Sequence, residues 1–400
     1  MISKKKYWVV SQLFYPDETS TGFVMTKIAE KVATLGEVNV ICGSSNYQSD
    51  FLNNATHIDK NIIIHRINTI KWNKDFLISR LFGFIILSIK IAVKILLNIK
   101  KEDTVLIVTN PPTVILFVSL IKKIRKFKLI VALHDVFPEN LVAAGVINPT
   151  IGYYKIILKL FNFSYNSADH LIACGEDMKQ IFHQKVRKTL PISVITNWAD
   201  HEEIFAKNID RNSYLNYNLD DKVVIEFAGN IGRVQGLDQF LEIFLKVKNP
   251  NLFLIIIGDG AFKRKLIILQ KLYNSNAILF LNSKPRSEQN NFLNACDIGL
   301  VTLNKGMFGL GVPSKVYNIF SAGKPVLYIG DHKSEIYNYI KEYNTGWAFN
   351  WNEEEEIECF LANINKNSVI EFNLKGVNAR ALVEKRFLKE QILNQYLNVL

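Results

Sequence analysis

Short, unbroken apolar runs recur along this chain, and a longer stretch of helical periodicity follows most of them. In the first half the runs are Trp8–Val10, Val38–Cys42, Ile62–Ile67, Val105–Thr109, Leu129–Leu133, Leu171–Ala173 and Ile192–Ile195. A strand that is apolar on both faces must be covered on both faces, and helices between such strands supply the cover. The pattern predicts a parallel sheet in an α/β fold. It lapses over His201–Leu219, which is polar and irregular. It restarts with Val223–Phe227, Phe253–Ile257, Ile278–Leu281, Ile298–Val301 and Val326–Ile329. We therefore read a linker near residues 201–220 between two α/β domains, and one terminal helix over Ala379–Leu400. The length of 400 residues suits two such cores.

The stretch Phe76–Ile99 is almost wholly apolar, yet Lys90 and Lys94 interrupt it and Asn98 follows one turn on. A spacing of four places the three on one polar stripe of a helix. A spanning helix would carry both lysines into hydrocarbon, at about 2.5–3.5 kcal/mol each near the centre. A helix lying in the interface keeps them wet. The formal net charge is +11, and residues 71–128 hold twelve lysines and arginines against three acidic residues, including Lys122, Lys123, Arg125, Lys126 and Lys128. Basic charge beside an apolar helix points to an anionic membrane surface. The plainer reading, a buried core helix with a solvated basic end, stays open. Nucleic acid is not expected as a partner, because no aromatic stacking platform is interleaved with the charge.

Cys42, Cys174, Cys296 and Cys359 form no CxxC pair and no Cys/His cluster. That argues for a reducing compartment and against a zinc site. The N-terminal lysines Lys4, Lys5 and Lys6 precede an apolar run, Tyr7–Val10, that stops at Ser11 and Gln12, too early for a signal peptide. A cytoplasmic location is expected.

Several segments carry residues suited to chemistry. After the first strand comes Ser11-Gln12-Leu13-Phe14-Tyr15-Pro16, with no G-x-G-x-x-G, which excludes a dinucleotide fingerprint. Thr21 and Gly22 stand at the start of a helix, where small residues let a phosphate or sugar approach. An ordinary N-cap by Ser20 or Thr21 is the alternative. His134, Asp135 and Glu139 follow an apolar strand, at the sheet edge where α/β folds bind ligands, and are candidates to contact sugar hydroxyls or move a proton.

The later half carries three glycine turns. Gly229-Asn230-Ile231-Gly232-Arg233-Val234-Gln235-Gly236 closes a strand and opens a helix. Gly258-Asp259-Gly260 closes the next, with Lys263 and Lys265 beyond. Gly309-Leu310-Gly311-Val312-Pro313-Ser314-Lys315 leads into another helix. Backbone N–H groups, one guanidinium and one ammonium at such turns suit a diphosphate.

Together these segments resemble the family 4 glycosyltransferases of the GT-B fold, in the bacterial branch of O-antigen, capsule and colanic-acid enzymes that includes fucosaminyltransferase-like members. The matching pieces are FAGNIGRVQGLDQF (227–240), IIIGDGAFKRKL (255–266), FLNACDIGLVTL (292–303) and VPSKVYNIFSAGKPVL (312–327). Earlier in the chain QLFYPDETSTG (12–22), LHDVFPENLVAAGVI (133–147), SADHLIACGEDM (167–178) and VITNWAD (194–200) also match, in the expected order.

The resemblance implies two Rossmann-like domains facing a cleft: residues 1–200 on the acceptor side, 201–378 holding a nucleotide-sugar donor, and a helix over 379–400 crossing back. It implies retaining transfer, with UDP the preferred nucleotide and no metal or other cofactor. The acceptor would be a polyprenyl-diphosphate-linked saccharide for a bacterial surface polysaccharide, and the enzyme would sit peripherally on the cytoplasmic face of the inner membrane. Arg233 would pair the diphosphate, with Ser314 and Lys315 on the same phosphates. Gly232, Gly258, Gly309 and Gly311 would bring backbone to the donor. His134 or Asp135 would stand near the reacting sugar.

Gln235 and Asn318 would also contact the donor, although the chain departs from the family at Gln235, where a lysine is frequent, at Leu310 and Asn318, where a Glu-x7-Glu pattern is usual, and at Gly22 on the acceptor side, where a Gly-Gly pair is frequent. The donor sugar therefore stays open. Two other readings remain: a nucleotide-sugar 2-epimerase, which turns over without an acceptor, and a degenerate protein that binds donor only.

Overall fold

The computed structural model describes residues 5–44, 58–68 and 77–400. Lys4, Phe76 and the basic residues Lys71 and Lys74 lie outside the described residues. The chain divides into two compact units. One comprises Met1–Thr196, Gly309–Val312 and Glu390–Leu400; the other comprises Asn197–Phe308 and Pro313–Lys389.

The first unit holds seven parallel strands: β1 (Tyr7–Ser11), β2 (Val38–Gly43), β3 (Ile62–Ile67), β4 (Thr104–Val108), β5 (Lys128–Leu133), β6 (His170–Ala173) and β7 (Ile192–Val194). Their order across the sheet is β3-β2-β1-β4-β5-β6-β7. The second holds β8 (Val223–Ala228), β9 (Leu252–Ile257), β10 (Ile278–Leu281), β11 (Ile298–Thr302), β12 (Val326–Ile329) and β13 (Gly346–Phe349). Their order is β10-β9-β8-β11-β12-β13, all parallel. Both sheets are doubly wound, and each reverses its strand order at one point, between β1 and β4 and between β8 and β11. At such a switch point adjacent crossovers leave in opposite directions and open a crevice at the carboxyl edge. Each unit is thus a Rossmann-like α/β domain.

The apolar runs are central strands because burial on both faces demands it: every residue of β2, β4, β9 and β11 is buried. The sequence pattern missed β13. Gly346 heads it and interrupts the apolar pattern, because a Cβ there would lie 1.9 Å from the Val326 carbonyl oxygen of β12.

Two further expectations need correction. The polar stretch 201–220 is no free linker. It contains the helix Arg211–Leu215, capped by Asp210, and Arg211 bonds to Asp297 and to the carbonyls of Leu219 and Lys222. The single terminal helix is two helices, Val369–Arg386 and Lys389–Val399. The break falls at Phe387 and Leu388. There the Phe387 carbonyl accepts the Ala199 N–H at 2.9 Å and Leu388 pairs with Ala199 as a parallel bridge. A peptide group that bonds to another segment cannot continue the helix.

The helix Leu77–Asn98 is long and apolar enough, by length and composition, for Leu81–Asn98 to cross a membrane. One face, with Leu87, Ser88, Ile91, Ala92 and Ile95, is buried. Ile89, Val93 and Leu97 repeat every four residues on a second stripe that faces solvent, with Lys90 and Lys94 beside it. A core helix with one solvated polar face would not carry that second stripe. The neighbouring helices Val114–Arg125 and Gly152–Tyr165 add exposed Leu120, Ile124, Ile156, Leu160 and Phe163. Lys123 lies over the Phe163 ring at 4.1 Å and bridges these two helices.

Candidate functional site

In the second unit the site grows from two turns that interlock. The turn after β8 bonds to the turn after β9: the Gly229 N–H donates to the Ile257 carbonyl and the Ile231 N–H to the Asp259 carbonyl, each at 2.9 Å. The backbones approach so closely that a Cβ on Gly258 would fall 1.9 Å from the Gly229 carbonyl oxygen, and Gly258 itself has φ +144. Only glycine meets both demands. The pairing fixes where the N–H groups of the first turn lie, without help from side chains.

Lys315, at the start of the helix Lys315–Ser321, reaches this turn. Its Nζ is closed off from solvent, has no hydrogen-bond partner among the described residues, and lies 3.2 Å from the centre of the Phe227 ring. A Cβ added to Gly229 would be 3.2 Å from it. Burial drives the Lys315 pKa well below the usual lysine value. An unpaired ammonium in such a place is costly unless a ligand completes it, and the fitting ligand is an anion.

Gly232 and Arg233 occupy the same turn. Arg233 is exposed, with its guanidinium 5.5 Å from the Phe262 ring. Gln235 keeps a buried Oε1 without a partner among the described residues, so it offers an acceptor to a hydroxyl. Ser314 precedes the helix in a helical conformation and does not cap it through its side chain. The lysines beyond the second turn are engaged by carboxylates, Lys263 by Asp259 at 2.8 Å and Lys265 by Asp238 at 2.5 Å.

Asn318, expected on the donor side, is drawn elsewhere. Its Oδ1 accepts the Asp200 N–H at 3.0 Å and its Nδ2 donates to the Asp200 carboxylate at 3.3 Å. Asp200 also takes Trp198 Nε1 and an ion pair from Arg286. Asn318 thus serves a buried network that no motif in the sequence pointed to.

In the first unit His134 and Asp135 leave β5 together. Both backbone N–H groups donate to Thr109 Oγ1 at 3.1 Å, which locks the turn. Asp135 Oδ1 accepts from Asn140 Nδ2 at 2.8 Å. Burial pushes Asp135 up to about 6, against the smaller opposing effect of Asn140, and pushes His134 down to about 4. His134 is therefore neutral at neutral pH, and its Nε2 has no partner among the described residues. Asp135 titrates in the range useful to a general base. Thr109 was missed in the sequence, where it only ended an apolar run.

Glu139 does not join them as a free carboxylate: it is ion-paired with Lys185. Gly309 and Gly311, expected beside the donor phosphates, belong to this first unit. The Val136 N–H donates to the Leu310 carbonyl at 3.0 Å, and Asp135 bridges to Gly311. Gly309 has φ +66 and packs against the Asp177 carbonyl and Ile181. At the other candidate helix start Thr19 is the N-cap, with its Oγ1 accepting the Gly22 N–H at 3.2 Å, so neither Ser20 nor Thr21 takes that role. Thr21 falls in the first turn. Gly22 is small because a Cβ would sit 2.5 Å from the Asp17 carbonyl oxygen. Among the described residues no three His, Cys, Asp or Glu side chains gather as a metal site.

Comparison with known proteins adds the following. The model of the family "glycosyl transferases group 1" matches residues 212–371. The glycosyltransferase WbjE of Pseudomonas aeruginosa is 36% identical over 276 residues, which is 69% of this chain and 69% of that protein. The colanic acid biosynthesis glycosyl transferase WcaI of Escherichia coli K12 is 26% identical over 179 residues, 45% of this chain and 43% of its own. Among solved structures, Anabaena HepE in complex with UDP and glucose superposes with a TM-score of 0.75 over 99% of each chain. At 16% identity, that is a likeness of fold.

Proposed function

The chain belongs to the group 1 glycosyl transferases, and we propose that it is a retaining enzyme of family 4 that uses a UDP-sugar. In this reading the sugar passes to a polyprenyl-diphosphate-linked saccharide during synthesis of a bacterial surface polysaccharide, within the fucosaminyltransferase-like branch. The observation that carries the donor side is the unpartnered Lys315 ammonium beside the Gly229 turn. When the bond from the anomeric carbon to the diphosphate breaks, negative charge grows on the departing oxygen. A fixed cation away from water stabilises that charge far more than it would in solvent. Arg233 and the N–H groups of the turn around Gly232 act on the same phosphates, and Gln235 accepts from a donor hydroxyl. The acceptor hydroxyl must lose its proton as the new bond forms, and we assign that proton to Asp135, whose carboxyl is raised by burial to about 6, with His134 as a neutral contact for the sugar.

One relative supports the pathway: WcaI is named for colanic acid synthesis. HepE, of the same fold, was solved with UDP and glucose. The acceptor's lipid and the peripheral cytoplasmic location rest on the first unit's exposed stripe of Ile89, Val93 and Leu97, with Lys90 and Lys94 on the same helix and the exposed Lys123 and Arg125 on the neighbouring helix Val114–Arg125.

The test is a donor panel with purified protein and a membrane lipid extract, read as released nucleoside diphosphate. Release from one UDP-sugar only when lipid is present is the expected result. Isomerisation of a donor without acceptor would replace this reading with an epimerase. Donor binding without turnover across the panel would leave a degenerate binding protein.

A further inference from the structure

We propose that Phe227 is a positioning residue: the face of its ring holds the Lys315 ammonium against the Gly229 turn. This rests on the reading of Lys315 as a contact to the donor diphosphate. By sequence Phe227 is an ordinary core aromatic, and it is indeed fully buried in the main cluster of the second unit. Its ring does what an aliphatic residue of that cluster could not. Lys315 Nζ lies 3.2 Å from the ring centre, well inside the roughly 6 Å over which a ring quadrupole attracts a cation. Gly229, lacking a side chain, leaves room for the ammonium against the backbone of the turn.

No carboxylate, carbonyl or hydroxyl among the described residues accepts from Nζ. That combination has a chemical consequence. A carboxylate in this place would keep the lysine charged but would also cancel the field that an incoming anion feels. A ring face favours the cation while carrying no net charge, so the positive field at the turn is not cancelled before a phosphate arrives.

The test incorporates phenylalanines bearing one, three and five ring fluorines at position 227. Fluorine drains the ring face of electron density and changes its shape little. UDP binding by calorimetry and the melting temperature are read for each. The Kd for UDP should rise stepwise, roughly tenfold from the plain to the fully fluorinated ring. The melting temperature should fall by no more than a few degrees, the share of stability that the ring's attraction for the ammonium supplies, and the monofluoro ring should remain near wild type. In a Lys315→Met background the dependence on fluorine should vanish. Unchanged affinity across the series overturns the proposal, as does a stepwise loss that persists without the lysine, which would assign the effect to packing. Should Lys315→Met alone bind UDP as tightly as the wild type, the reading of Lys315 as a phosphate contact fails first, and the role of the ring falls with it.

Discussion

Replacing Lys315 with methionine should make the second unit more stable and the enzyme far less active. Methionine has nearly the length of the lysine stem and no polar tip, so it fills the same channel under the Gly229 turn. A buried donor without an acceptor costs about 1–3 kcal/mol, and the Phe227 ring returns about 1–2 kcal/mol of that. A net gain on the order of 1 kcal/mol follows, which for a unit of this size is a rise of about 2–4 °C in Tm. The loss of activity runs the other way. Removing one preorganised donor to a leaving group lowers turnover about 10²–10³-fold, or about 2.7–4 kcal/mol.

The stability effect also has a sign in pH. Burial holds Lys315 well below its ordinary value of 10.5. The folded state thus disfavours the protonated form that the unfolded chain keeps up to that value. The handicap is full at pH values below the folded pKa and fades as pH rises toward 10.5. Methionine should gain more over the wild type at pH 7 than at pH 10. Thermal melts at both pH values and nucleotide release from a UDP-sugar check the pair of effects. A methionine variant that melts lower at pH 7 and releases nucleotide at the normal rate would refute the reasoning at both points.

Three other outcomes are expected. Glu226 is fully buried in β8, and burial raises its carboxyl well above 4.5, so the stability it allows is present below that value and lost as pH rises through the folded one. Glu226→Gln should therefore gain on the wild type as pH climbs from 5 to 8, and urea midpoints that run parallel would contradict this. Asp135 titrates at about 6, so kcat/KM should rise with pH through that region and Asp135→Asn should remove the limb with at least about a hundredfold loss; a profile unchanged in shape would dismiss Asp135 as the base. Val93→Glu with Leu97→Glu, both on the exposed stripe, should weaken flotation with anionic liposomes at low salt while leaving UDP binding intact. Undiminished flotation would move the docking surface elsewhere.

Most of the fold was legible because doubly wound sheets write themselves as apolar runs, and twelve of the thirteen strands were found that way. What escaped was governed by contacts distant in the chain. β13 depends on Gly346 fitting against Val326 of its neighbour, and the break at Phe387 depends on Ala199. The glycine turns were visible as motifs, and their interlocking was not, because it takes two strands laid side by side to bring Gly258 against Gly229. Residue type also misled at two places. Asn318 and Glu139 have polar ends fit for a ligand, yet Asp200 and Lys185 claim them. Lys315 read correctly as a basic residue at a turn. That its amine would be enclosed and unpaired came only with the coordinates.

The helix Lys389–Val399 returns the chain to the first unit, where Ile392, Leu393 and Tyr396 are buried and Glu390 pairs with Lys31. On a ribosome this helix emerges after the second unit. The opening 196 residues must then wait, their apolar seat uncovered, until the whole second unit has been made. The order of synthesis thus inverts the order of completion: the unit begun first is finished second, and any message truncated before residue 390 leaves it open.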